Sequence, residues 1–161
     1  MLPGLAGETG RPVSPANPGN KYASKYLDIP NEPLYPFGYG LSYTTFDYSD
    51  IKLSKQQLRG NETLEASVTV TNTGKYAGEE VVQLYIQDPV ASISRPVKEL
   101  RNFRKIMLKP GDKQDVSFTI TNEDLKFYNS QLEYVWEPGE FKIYIGTSSA
   151  DVKTASVDWQ K

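Results

Sequence analysis

Strict alternation of apolar and polar side chains constrains this chain more than any other feature. In the run LEASVTVT, Leu64, Ala66, Val68 and Val70 fall on one side of an extended backbone, and Glu65, Ser67, Thr69 and Thr71 on the other. Successive strand residues point to opposite faces, so the run predicts a strand with one dry face and one wet face. The same period places Val82, Leu84 and Ile86 inward in EVVQLYIQ, Val116, Phe118 and Ile120 inward in DVSFTI, and Phe141, Ile143 and Ile145 inward in EFKIYIG. Weaker strands are read over Thr45–Leu53, Leu100–Leu108, Gln131–Trp136 and Thr154–Trp159. In the first two the phase slips midway, which predicts bulges near Ser49 and Asn102.

Between these runs lie NTGKYAGEE, KPGD, NEDLKFYNS, EPGE and GTSSAD, rich in the Gly, Asn, Asp and Pro that close turns. One helical turn is expected at Asn122–Phe127. About seven or eight short strands with regular turn signals predict an all-β fold, an antiparallel β-sandwich of immunoglobulin or fibronectin type III character. The chain has no cysteine, so packing between two inner faces must hold it; Val68, Leu84, Phe118, Trp136 and Phe141 are its expected core. Residues 1–43 read differently. They hold most of the prolines, in runs such as RPVSPANPGN and NEPLYPFGYG, with no apolar period. Pro12, Pro15, Pro18, Pro30, Pro33 and Pro36 together forbid a helix there. The division is therefore a long irregular segment over 1–43 and a sandwich over 44–161.

Composition removes most chemistries. Histidine and cysteine are both absent, which excludes the neutral-pH imidazole base, thiol nucleophiles and thiolate zinc sites. With 18 Lys and Arg against 20 Asp and Glu, the net charge of −2 supplies no field to recruit nucleic acid or an anionic membrane. No apolar run approaches the ~20 residues of a spanning helix. Paired carboxylates could in principle do acid–base work on a glycoside. The acids available are Asp28, Glu32, Glu79, Glu80, Glu133, Glu137 and Glu140, and each reads as solvated surface charge. No catalytic residue, cofactor or metal site is assigned. Asn61-Glu62-Thr63 is an N-glycosylation sequon of a kind that arises often by chance.

The most informative stretch is PLYPFGYGLSYTTF, in which Tyr35, Phe37, Tyr39, Tyr43 and Phe46 alternate with Pro36, Gly38 and Gly40. Aromatics on a rigid, non-periodic backbone offer large contact area at small entropic cost. Three readings are open: a lid folded onto the domain's own core, a contact surface for other protein, and a platform for stacking on sugars. The contact surface is favoured, because such residues are enriched at interfaces.

PNEPLYPFGYGLSYTTF, VTVTNTGKYAGEEVVQLYIQDP, SRPVKELRNFRKIMLKPGDKQDVSFTI and PGEFKIYIGTSS, in this order, closely resemble the C-terminal portion of bacterial β-glucosidases of glycoside hydrolase family 3. The likeness runs from about Gly10 to Ser149. It implies a parent enzyme with a (β/α)₈-type barrel, an α/β sandwich domain and a fibronectin type III-like domain, of which this chain holds the end of the second and the whole of the third. The nucleophilic aspartate and the general acid/base then belong to absent polypeptide. On this resemblance the chain is a non-catalytic accessory domain that packs on and stabilises the catalytic domains of the same parent, meets β-glucoside only through that parent, and resides in the periplasm or outside the cell. The expected interdomain contacts are Arg11, Tyr26, Asp28, Tyr35, Phe37, Tyr39 and Tyr43. Residues 1–33, deprived of those domains, are expected to be mobile or to dock on a neighbouring copy. Two rival readings are a carbohydrate-binding module, stacking sugars on exposed Tyr35, Tyr85, Tyr144 or Trp159, and a stand-alone adhesive sandwich.

Overall fold

In the computed structural model, residues 33–161 are described, and residues 36–161 form one compact unit. Two sheets face each other. In the first, β4 (Leu64–Asn72) is central: β1 (Phe46–Tyr48) and β2 (Lys52–Leu53) share one of its edges, and β7 (Lys113–Ile120) lies along the other. The second sheet has the order β3 (Gln57–Arg59), β11 (Val152–Gln160), β10 (Gly139–Gly146), β5 (Gly78–Gln87) and β6 (Glu99–Leu108). All these pairings are antiparallel except β3 on β11. A small ribbon of β8 (Phe127–Tyr128) and β9 (Tyr134–Val135) follows the 3₁₀ turn Asn122–Leu125.

The register explains the alternation. Val68 opposes Val116, Ala66 opposes Phe118 and Leu64 opposes Ile120, so that the inward residues of β4 and β7 stack on one face. Across the gap, Ile143 opposes Ile86 and Ile145 opposes Leu84. Val68, Leu84, Phe118, Trp136 and Phe141 are all buried, and Trp136 meets Trp159 edge to face at 6.4 Å. The phase slip in the sixth strand is a true bulge: Leu84 pairs with Asn102 and Tyr85 with Leu100, leaving Arg101 as the extra residue. The slip near Ser49 is instead a break. Ser49 Oγ accepts from the Thr69 amide and the Ser49 amide donates to the Thr69 carbonyl, interrupting the strand between β1 and β2. Strand β3 carries no alternating signal long enough to be read; its Leu58 is held by core packing and by parallel pairing to β11.

Among the described residues, Asn72 is the polar residue with no exposed surface. Asn72 ends β4, and its side chain makes four hydrogen bonds. Its Oδ1 accepts from Thr44 Oγ1 at 2.7 Å and from the Gly74 amide at 3.0 Å, and its Nδ2 donates to the carbonyls of Tyr76 at 2.8 Å and Leu108 at 2.9 Å. A buried amide costs little when every donor and acceptor is matched, and a great deal when it is not. Close approach is built in: a Cβ on Gly74 would lie 2.2 Å from Thr44 Oγ1.

Asn72→Ala would leave four groups without their partner, and the expected loss in urea-denaturation stability is about 2–4 kcal/mol. A loss below about 1 kcal/mol would show that water replaces the amide at little cost.

Candidate functional site

The aromatic stretch is strapped across the outer face of the five-stranded sheet. That face is set by period 2: with Val82, Leu84 and Ile86 turned to the core, Gln83 and Tyr85 must point away from it. Both are nevertheless buried, because residues 37–38 lie over them. Gln83 Nε2 donates to the carbonyls of Gly38 at 3.0 Å and Thr147 at 2.5 Å, while its Oε1 accepts from Tyr85 Oη at 2.5 Å. The Ser149 amide donates to the Phe37 carbonyl at 2.8 Å, and the Phe37 ring stands edge-on to Tyr85 at 6.4 Å. A turn closes the strap, the Tyr39 amide donating to the Pro36 carbonyl. Gly38 is required twice over. Its φ of +80° is strained for other residues, and a Cβ there would fall 2.0 Å from Gln83 Oε1.

Anchored by its backbone, the strap turns its side chains out. Phe37 is 64% exposed, Leu41 88% and Tyr43 97%, with Tyr39 half-exposed. Pro36–Tyr43, grouped with the linker on sequence alone, thus bonds to the sandwich. Tyr35 is exposed as well; Arg11, Tyr26 and Asp28 lie outside the described residues, as does all but the last of the segment expected to be mobile. The rings proposed for sugar stacking need correction. Tyr85 is covered by the strap, Tyr144 is covered by Lys98 and bonded to Gln87 Oε1, and Trp159 faces the core with Nε1 donating to the Gly60 carbonyl. None of the three exposes a ring face on which a sugar could stack. Sequence periodicity could not show this, because each cover comes from residues distant along the chain.

Glu80 departs from the reading of a solvated surface acid. It is half-buried beside the strap, and Tyr48 Oη, from the opposite sheet, donates to its Oε1 at 2.8 Å. Burial, with a smaller contribution from nearby Asp151, holds its carboxyl above the usual value of 4.5, against the lowering effect of the Tyr48 bond. Tyr48 itself is pushed far up by burial and by Glu80, so it remains a hydroxyl donor. Glu133 and Glu140 are exposed, and Glu137 accepts from Ser92. Among the described residues, no three acidic side chains converge in a group that could hold a metal ion, and no helix is long and apolar enough to cross a membrane.

The arrangement is that of a fibronectin type III-like β-sandwich, and residues 80–149 match that domain's profile. Along its sequence the chain is similar to one part of glycoside hydrolase family 3 β-glucosidases. It is 55% identical to a periplasmic β-glucosidase of Salmonella typhimurium over 93% of this chain and 20% of that protein. β-Glucosidase BoGH3A of Bacteroides ovatus is 50% identical over 76% of this chain and 16% of its own length. A crystal structure of β-glucosidase from Listeria innocua in complex with isofagomine superposes with a TM-score of 0.82 at 50% identity, covering 95% of this chain and 21% of that one. The chain thus spans about a fifth of the length of the relatives it matches.

Two outcomes follow from this geometry. Gly38→Ala should lift the strap and cost about 1–3 kcal/mol of stability, with amide exchange accelerated at Phe37 and Ser149; unchanged exchange there would mean that the strap is not held at Gly38. Glu80 carries its proton more readily folded than unfolded, so its contribution is present below the ordinary value of 4.5 and is lost as pH rises through the higher folded value. Glu80→Gln keeps an acceptor for Tyr48 without the charge. Melting curves from pH 4 to 8 should show the variant gaining on the parent chain toward neutrality, and parallel curves would contradict the assignment.

Proposed function

We propose that this chain is a non-catalytic accessory domain of a β-glucosidase that packs on the catalytic portion of the same polypeptide and stabilises it. The observation that carries the reading is the strap. Its backbone is fixed by Gln83, Tyr85 and Ser149, while Phe37, Leu41 and Tyr43 point to solvent. A rigid, prearranged aromatic surface loses little entropy on contact and so favours association with protein. The chemistry of glycoside hydrolysis then lies in polypeptide beyond this chain, and β-glucoside is met only through the parent, in the periplasm or outside the cell. The support for that parentage is the identity to β-glucosidases along nearly the whole chain.

The purified 161-residue chain is expected to leave an aryl β-glucoside unhydrolysed. In the longer protein, Phe37→Ala with Tyr39→Ala should lower the melting temperature by about 2–8 °C, the shift expected for roughly 1–2 kcal/mol in a domain of about this size. Turnover by the isolated chain that survives purification, or a longer protein indifferent to both substitutions, would overturn the proposal.

A further inference from the structure

We infer that the hollow beside the strap is a socket for apolar side chains from the catalytic portion that precedes this chain in the longer protein; the inference rests on the accessory-domain reading. The hollow measures about 530 Å³; Phe37, Tyr85, Pro96, Val97 and Leu100 line it together with Lys98, Glu99 and Ser149. Its ionic and phenolic side chains are already engaged. Tyr85 Oη donates to Gln83 Oε1, and Lys98 Nζ donates to the Ser149 carbonyl at 2.6 Å and sits over the Tyr144 ring at 4.7 Å. Glu99 Oε2 accepts from Arg95 Nη2 at 2.5 Å and from Arg101 Nη2 at 2.9 Å. A polar visitor would find these charges already paired within the domain, whereas an apolar one would be dehydrated against carbon on several sides.

The surroundings extend the same chemistry. Leu100 lies opposite Tyr85 and Phe103 opposite Gln83, so both share the outer face with the strap. Val97 is 73% exposed and Phe103 60%. Contiguous apolar surface of this kind marks a contact with protein. The occupant follows from connectivity and length. The chain runs into the sandwich through the strap, whose Phe37 forms one wall, so polypeptide upstream of residue 1 is joined to the rim of the socket through 36 residues of the same chain. The relatives carry about four-fifths of their length outside the part this chain matches.

Hydroxyl-radical footprinting tests this on the longer protein, on the 161-residue chain, and on the chain lacking residues 1–32. Labelling of Val97 and Leu100 should fall at least about fivefold in the longer protein relative to the chain, since an interface core is packed as densely as a protein interior. Val97→Glu should restore the labelling of Leu100 in the longer protein, while Leu132→Glu, on the ribbon turn, should not. Phe37 shielded with Val97 and Leu100 still labelled would overturn the socket and leave the accessory-domain reading intact. Phe37, Val97 and Leu100 all labelled alike in both proteins would overturn both. Shielding already present in the 161-residue chain and lost on removal of residues 1–32 would make the occupant this chain's own segment and overturn the socket as stated. Full shielding of Leu100 in the Val97→Glu protein would remove the apolar anchor.

Discussion

The Asn72 side chain is the constraint on which the arrangement depends. It terminates the central strand of one sheet, closes the turn into the central region of the other through Gly74 and Tyr76, reaches the end of β6 at Leu108, and fixes Thr44 where the chain enters the sandwich. Three separate segments, the entry at Thr44, the turn at Gly74 and Tyr76, and the end of β6, are referred to one amide. Because its donors and acceptors have directions, it specifies a geometry that apolar packing alone would leave loose.

From Thr44 the chain leads back along the strap, and there the sandwich departs from a plain two-layer fold. The outer face of a sheet is ordinarily left to water. Here Gln83 and Tyr85 spend their polar groups on the strap and on each other, and the strap in return buries them. Gly38 permits the approach because nothing larger than hydrogen fits against the Gln83 side chain. The result is an aromatic surface mounted on a rigid sheet, which is what prearranged recognition requires.

A second link joins the sheets. Tyr48 donates to Glu80 across the sandwich, close to where the strap leaves the sheet, and burial pushes both groups toward their protonated forms. The domain therefore has a titratable group inside its own frame although it has no catalytic assignment. The raised value follows from removing a carboxyl from water with one hydroxyl partner and a like charge nearby, and it needs no substrate to explain it.

The long strands, their inward residues and the bulge near Asn102 were legible in the sequence because each is local: alternation reports which side of a strand meets water, and a slip in phase reports an added residue. Phe118 and Leu84 announce themselves in their own octets. The seats of Tyr85, Tyr144 and Trp159 were not legible. Tyr85 stands on the outward phase of its strand and is buried only because Phe37, some fifty residues earlier in the chain, lies over it. Likewise Glu80 reads as one acid in a polar turn, and only the opposite sheet supplies Tyr48. The sequence by itself determined an all-β sandwich, its core and an aromatic stretch at its threshold. The tertiary structure alone decided that the stretch is clamped to the sheet with its rings outward, because that depends on hydrogen bonds between residues far apart in the chain, and no local pattern encodes them.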